Sequence, residues 1–322
     1  MSSAVTHTAS GPRLMAFFWA LALVAVALIP WITGSTFHFH IAIMVCISAM
    51  ATGGLAVTAW VGQLSLAHAA FAGIGAYTSV LLVTRLGLPV LLGLPAGALV
   101  AGGVAFVIGA PLLRLRGVYF VLITFALNEL FRLVMLEVPE YSGGSSGIAG
   151  IPKISLFGLT LSSYEAVYPF ALVCLALVMG LLVLIRKGQL GRRFGAVEEN
   201  LALAEASGIP TARTQTLAFT IGSAIAGFAG AFLAHYVGFI SPETFGFQLS
   251  VSYVIMLVTG GRLALWGPLV GALFLTPLPE FLRGAVEYQH IIYGVVLIAV
   301  LRFLPQGLAG LPAQLARKGG RA

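Results

Sequence analysis

One long uncharged run constrains the fold of this chain more than any other feature. Between Arg13 and Arg85, 71 consecutive residues contain no Lys, Arg, Asp or Glu. Soluble domains carry roughly a quarter charged residues, whereas this chain carries 8% and is 59% hydrophobic. Because a water-soluble fold could not bury that much apolar surface, the surrounding solvent must be lipid. The sequence therefore predicts an integral membrane protein that crosses the bilayer several times.

The lengths of the apolar segments predict the fold class. A helix needs about 20 apolar residues to cross the hydrocarbon core, and segments of this kind recur along the chain, with three shorter ones at the end. We expect an all-α, polytopic membrane helix bundle with eight to ten transmembrane helices, forming a single domain over residues 1–322. The expected helices lie near residues 14–34, 41–60, 69–84, 89–113, 117–136, 165–185, 214–239, 249–261, 265–280 and 289–304.

The basic residues predict the orientation of the bundle. With the N-terminus in the cytoplasm, 13 Lys and Arg residues fall on the cytoplasmic side and only Arg85, Lys153 and Arg283 fall outside. The positive-inside rule favours this arrangement, in which both termini are cytoplasmic. It also predicts a periplasmic loop over 137–164 and a cytoplasmic loop over 186–213. The net charge of +7 thus reflects topology and not a nucleic-acid surface, which would interleave basic and aromatic residues.

The sequence offers little for catalysis. It contains no aspartate, no phosphate-binding loop of the Gly-x-x-x-x-Gly-Lys-Ser/Thr type and no His-Glu-x-x-His zinc motif. Its two cysteines, Cys46 and Cys174, lie in separate apolar segments and predict neither a disulfide framework nor a metal site. We therefore expect a protein that is not an enzyme and that binds no cofactor itself.

One charged segment interrupts the apolar chain, in the predicted cytoplasmic loop. Residues 196–207 lack Gly and Pro and are rich in Ala, Leu and Glu, which predicts a short helix. Gly208 and Pro210 would end it. A helix of about 12 residues is marginal alone in water, so we expect it to dock. It could lie on its own bundle, or it could be a coupling element that inserts into a partner protein.

The stretch ENLALAEASGI in this loop resembles the ATPase-docking loop of permease subunits in ATP-binding-cassette importers. Three further blocks extend the resemblance to branched-chain amino acid permeases of the M type, and the four together span about residues 45–310. The blocks are GQLSLAHAAFAGIGAY, LRLRGVYFVLITFALNELFRL, GRRFGAVEENLALAEASGIP and GGRLALWGPLVGA. The resemblance implies ATPase-coupling roles for Glu198, Glu199, Asn200, Glu205, Ala206 and Gly208.

Several polar residues lie within or next to the apolar segments. Gln63, Ser65 and His68 follow a long apolar segment, and the glycines around them permit a break in the helix. Two interpretations remain open, namely tight helix packing and a discontinuous helix whose polar break lines a translocation pathway. Glu129 and Arg132 are three residues apart and can form an ion pair on one helix face. Two interpretations remain open here as well, namely a salt pair near the outer boundary of the membrane, and Asn128 and Glu129 as part of a pathway wall. The candidate pathway residues are Gln63, Ser65, His68, Tyr77, Asn128 and Glu129.

Small residues and an interrupted segment complete the predictions for the membrane region. Ser223, Gly227 and Ala231 repeat at one helical spacing, and a second set of small residues lies beside them, which predicts close helix packing. The interrupted stretch 258–268 contains Arg262, which favours a short cytoplasmic turn over a break at the bilayer midplane.

The resemblance implies a permease subunit of an importer in the bacterial inner membrane. Alternating access would be driven by two ATP-binding-cassette subunits, so ATP and Mg would bind in trans. A related second permease and a periplasmic substrate-binding protein would complete the assembly, with Glu137, Glu140 and the loop 141–164 as outer contacts. The expected substrates are branched-chain or related small amino acids or amides. An ion-coupled secondary transporter of small metabolites is the alternative, since Glu129 could serve as a membrane carboxylate.

Overall fold

The computed structural model describes residues 28–156, 159–281, 294–295, 302 and 307–310. Within them the chain is almost entirely helical, which confirms the all-α fold class. The helices are α1 Thr36–Ala59, α2 His68–Leu86, α3 Val90–Leu112, α4 Val118–Glu137, α5 Pro139–Ser142, α6 Tyr164–Lys187, α7 Gln189–Glu199, α8 Leu201–Ala206, α9 Thr211–Val237, α10 Phe247–Gly260, α11 Gly267–Leu275 and α12 Leu278–Phe281.

Six of the described helices are long and apolar enough to cross a membrane, namely α1, α2, α3, α4, α6 and α9. They confirm the six helices predicted over the same stretches, with small shifts at their ends. The predicted helices near 249–261 and 265–280 correspond to the shorter α10 and α11. The predictions for 14–34, 289–304 and both termini fall largely or wholly outside the described residues.

Helix α9 lies at the centre of the bundle and packs against α1, α2 and α3. Its glycines allow this, because a Cβ added at Gly222 would meet Gly54 of α1, and one at Gly230 would meet Ala72 of α2. Gly227 approaches both Gly75 of α2 and α3 in the same way. The predicted close packing through small residues is confirmed, since these side chains let the helix backbones approach closely.

The described part of the loop over 137–164, predicted to be periplasmic, contains short elements rather than a long helix. Strand β1 (Ile148–Ala149) pairs antiparallel with β4 (Phe239–Ile240), in the register Ile148 to Ile240, and this joins the loop to the end of α9. Strands β2 (Ser155–Leu156) and β3 (Leu159–Thr160) form a second antiparallel pair. Arg85, at the end of α2, donates to the carbonyl of Glu140, so the α2–α3 turn lies at this same end of the bundle.

The single cytoplasmic helix predicted over 196–207 is wrong. The structure has two helices, α7 and α8, separated at Asn200, whose backbone is extended (φ −156°, ψ 106°). The Asn200 side chain accepts a hydrogen bond from the Leu203 amide at 3.0 Å and begins α8. Asparagine caps compete with a continuous helix by offering this local acceptor. The predicted stop at Gly208 is confirmed, because Gly208 has a left-handed φ of +81°.

We predict that Gly75→Ala destabilises the bundle by about 1–3 kcal/mol, because the added methyl group would collide with the backbone of Gly227. Gly103→Ala, on the adjacent helix α3, is the matched control, since its Cβ would have no atom within 4 Å. Thermal unfolding of both variants in detergent measures the difference. Equal midpoints for the two variants would contradict the close packing of α2 on α9.

Candidate functional site

Helix α2 begins inside the bundle and not at its edge. After α1 ends at Ala59, residues 60–67 turn back along α1, and His68 lies beside Gly54, more than one turn before the end of α1. Hydrocarbon offers no partners for backbone amides, so the amides of an interior helix start must be satisfied by protein. Three side chains from α4 and α10 do this. The pairs are Leu66 N to Thr124 Oγ1 at 3.1 Å, Ala69 N to Ser250 Oγ at 2.9 Å and Ala70 N to Asn128 Oδ1 at 2.9 Å.

Asn128 connects two helix starts. Its Oδ1 also accepts from the Ser250 hydroxyl at 3.3 Å, and its Nδ2 donates to the Phe245 carbonyl at 3.3 Å, just before α10 begins. Asn128, Thr124 and Ser250 are all fully buried. Asn128 lies about 15 Å along α4, near its middle. The starts of α2 and α10 therefore meet at mid-height in the bundle, and we call this arrangement the Asn128 junction.

The structure places two of the predicted pathway residues, Ser65 and His68, beside Asn128 at the start of α2. Ser65 accepts from the Ala67 amide at 3.1 Å, immediately before α2. Gln63, His68 and Asn128 are buried, as is Tyr77, whose ring lies 6.4 Å from that of Phe131. The predicted break between two helices is thus present. The hydrogen bond of Ser65 stabilises local backbone, as the packing interpretation expects, whereas Asn128 bonds to distant segments. The pathway role of these residues stays a prediction.

Glu129 differs from the other pathway candidates because it lies partly exposed on the outward face of α4. Its carboxylate pairs with the Arg132 guanidinium at 2.9 Å, as the spacing predicts. Arg132 also pairs with Glu243 at 2.8 Å, in a 3₁₀ turn over Pro242–Phe245. The cluster holds two carboxylates and one guanidinium, and the side chains of Glu129 and Arg132 are 28% and 25% exposed. Glu129 and Arg132 lie about 16 Å and about 21 Å along α4, in the half of the helix that ends at Glu137.

A groove of about 580 Å³ runs beside this cluster on the surface of α4. Glu129 lines it together with apolar side chains that include Ile123, Phe125 and Leu133. Of the six candidate spans, α4 is the least buried within the chain.

The segment α7–α8, in the loop predicted to be cytoplasmic, has one side packed on the bundle and one exposed side. Phe194 and Val197 are buried against the bundle, whereas Glu199, Asn200, Glu205, Ala206 and Gly208 are exposed. Leu203 lies among these exposed residues and is itself 65% exposed. We call the exposed side, from Glu199 to Gly208, the docking face. Glu198, the remaining predicted coupling residue, instead pairs with Arg262 at 2.8 Å.

Sequence reasoning missed the residues that connect distant segments. Thr124, Ser250, Glu243 and Arg262 all bond to groups more than 50 residues away. Their only signal in the sequence is a polar side chain within or beside an apolar segment. Leu203 gives no signal at all, because a leucine in a helical segment is expected to be buried. Among the described residues, no group of His, Cys, Asp or Glu is arranged to hold a metal ion.

The chain matches the family model described as branched-chain amino acid transport system / permease component over residues 37–301. The chain belongs to this permease family. It is 33% identical to the high-affinity branched-chain amino acid transport system permease protein LivM of Salmonella typhimurium, covering 95% of this chain and 77% of that protein. It is also 33% identical to LivM of Escherichia coli, over 81% and 67% of the two chains. The LivH permease protein of E. coli is 32% identical over 48% of this chain and 50% of LivH. No solved structure matches.

Membership of the permease family confirms the resemblance to M-type subunits that the four sequence blocks indicate. Together with the six apolar helices, it also confirms the predicted inner-membrane localisation. The LivM and LivH relatives are permease proteins of branched-chain amino acid transport systems. The family assignment favours such a transporter over the ion-coupled alternative.

We predict that Ser250→Ala lowers the stability of this permease by about 1–3 kcal/mol, because the buried Ala69 amide would lose its acceptor. Ser252→Ala is the matched control on the same helix, since the exposed Ser252 hydroxyl donates to the Gln248 carbonyl of its own helix. Thermal unfolding in detergent compares the two. A loss no greater for Ser250→Ala than for Ser252→Ala would argue against the Asn128 junction as a structural support.

Proposed function

We propose that this chain is the M-type permease subunit of an ATP-binding-cassette importer and moves branched-chain or related small amino acids inward by alternating access. The observation that carries the proposal is the docking face. It combines exposed carboxylates, an exposed leucine and a left-handed glycine stop on a segment anchored to the bundle by Phe194 and Val197. A surface of this kind fits the groove of a partner protein better than water.

The partner at the docking face is an ATPase subunit, because this chain contains no phosphate-binding loop and no aspartate of its own. In this assembly two ATPase subunits hold ATP and Mg, and this chain binds neither. Leu203 acts as the apolar anchor, and Glu205 contributes a charged contact at its edge. Asn200 supports the face indirectly, since it fixes the start of α8.

A second, related permease faces α4. The Glu129–Arg132–Glu243 cluster lies at a depth where lipid is a poor solvent for charge, so a second protein chain and a water-filled pathway suit it better. Glu129 then contributes to the pathway wall. The buried candidates Gln63, Ser65, His68, Tyr77 and Asn128 lie behind that wall, where their movement would alter its shape. The similarity to both LivM and LivH fits a pair of related permeases.

Two LivM relatives, whose names specify branched-chain amino acid transport, support the proposed substrate class. A periplasmic substrate-binding protein delivers the substrate to the outer end of the bundle. Glu137 and Glu140 lie exposed there, beside the loop 141–164. Strands β1 and β4 join this loop to the end of α9. Docking of the substrate-binding protein on the loop would therefore move the end of α9.

We predict that Leu203→Glu and Glu205→Arg each weaken association with the ATPase subunits by about 10-fold or more, as expected for central interface contacts. Co-purification with the ATPases and ATP-driven uptake of labelled leucine measure the effect, with urea and acetamide as competitors. Glu165→Arg, exposed at the opposite end of the bundle, is the control for ATPase association. Normal assembly and uptake by both docking-face variants would show that the ATPases bind elsewhere.

We predict that Glu129→Gln reduces uptake severalfold at normal protein levels, because it removes one carboxylate from the cluster that faces the pathway. Arg132 would keep its pair with Glu243, so assembly with the ATPases should be preserved. Uptake is measured in vesicles with matched amounts of protein, and Glu165→Gln is the control for loss of an exposed charge. Uptake at the level of the unmodified protein would show that Glu129 is not part of the pathway wall.

A further inference from the structure

Glu198 lies where helix stability alone would not place a carboxylate. It is the penultimate residue of α7, and negative charge near a helix C-terminus is unfavourable because it opposes the helix dipole. The Arg262 guanidinium, 2.8 Å away, compensates this charge. The pair joins α7 to the turn 261–266, two segments that are 64 residues apart in sequence. The position of Glu198 is therefore explained by its contact with Arg262.

The turn 261–266 is also held by Arg186, in the last turn of α6. Arg186 donates to the Leu263 carbonyl at 3.4 Å, and its guanidinium carbon lies 5.0 Å from the centre of the Trp60 ring. Trp60 is the first residue after α1 and leads toward the start of α2. Glu198 itself lies beside Gly62 in the same segment. The cytoplasmic segment thus contacts both connections that lead to the Asn128 junction.

Helix α10 can carry movement from the turn to that junction. It has 14 residues and is about 21 Å long. At its cytoplasmic end it packs on α11 with backbone contact, since a Cβ at Gly260 would meet Gly267 and one at Gly271 would meet Met256. At its other end Ser250 bonds to the first turn of α2. A packed helix pair of this kind moves as a unit, so displacement of Arg262 reaches Ser250.

We propose that the Glu198–Arg262 ion pair transmits movement of the docked α7–α8 segment to helix α10, and through it to the Asn128 junction. The proposal rests on the proposed function, in which ATPases move that segment. Both residues act as positioning residues. Glu198 therefore serves within this chain, while Glu199 and the residues up to Gly208 contact the ATPases. The pair is partly exposed, at 22% and 43% for the two side chains, so it contributes little to folding stability.

A charge swap in the complete complex tests this role. The complex of both permeases, the ATPases and the binding protein is reconstituted in liposomes with Glu198→Arg, Arg262→Glu or both changes. ATP hydrolysis, leucine uptake and subunit composition are measured on the same samples. Arg192→Glu, exposed on the same helix α7, controls for charge reversal on this surface.

We expect each single variant to assemble and hydrolyse ATP but to transport at least about fivefold less leucine per ATP, the lower end of typical coupling between sites. The double variant should recover most of the transport, because the opposite charges meet again. Unchanged transport by the single variants, or a double variant no better than the singles, would overturn the transmission role. Loss of the ATPases from the Glu198→Arg complex would overturn it too and would place Glu198 on the docking face. Failure of the unmodified complex to bind ATPases or take up leucine would instead refute the proposed function, and the transmission role with it.

Discussion

The need to satisfy backbone amides away from water determines the centre of this permease. Helix α2 begins within the bundle, where an unbonded N–H group would cost several kcal/mol because lipid offers no acceptor. Thr124, Ser250 and Asn128 supply the acceptors from two other helices. Asn128 also bonds to the segment before α10. The starts of α2 and α10 therefore both depend on one buried side chain, that of Asn128.

Glycine contacts make this arrangement possible and also connect it to the cytoplasmic end. Helix α9 approaches α1, α2 and α3 through Gly222, Gly227 and Gly230, so the elements around the junction are packed backbone to backbone. Helices α10 and α11 use the same device beside Arg262. Packing of this closeness resists gradual deformation, which suits a transporter that changes between discrete arrangements.

Much of the fold was predictable from the sequence because it depends on local composition. Apolar length identified six spans, and the small-residue repeat in 214–239 identified the helix that packs most closely. The same reasoning failed over 196–207, where helix propensity suggested one helix. There the Asn200 side chain bonds the Leu203 amide and divides the segment in two. A single hydrogen bond decided the outcome, and summed propensities do not detect it.

The sequence by itself determined that this chain is a membrane protein, which segments can cross the membrane and which permease family the chain belongs to. Hydropathy, charge bias and motif blocks decide these points, and all three are properties of short stretches. Only the tertiary structure decided what the polar residues touch. It placed Asn128 between two helix starts, Glu129 on an outward face with Arg132 and Glu243, and Glu198 on Arg262 rather than on the docking face. Except for the Glu129–Arg132 pair, which the spacing of three residues predicts, these contacts join segments 58 to 122 residues apart. No local pattern specifies which distant partner a buried polar group will meet.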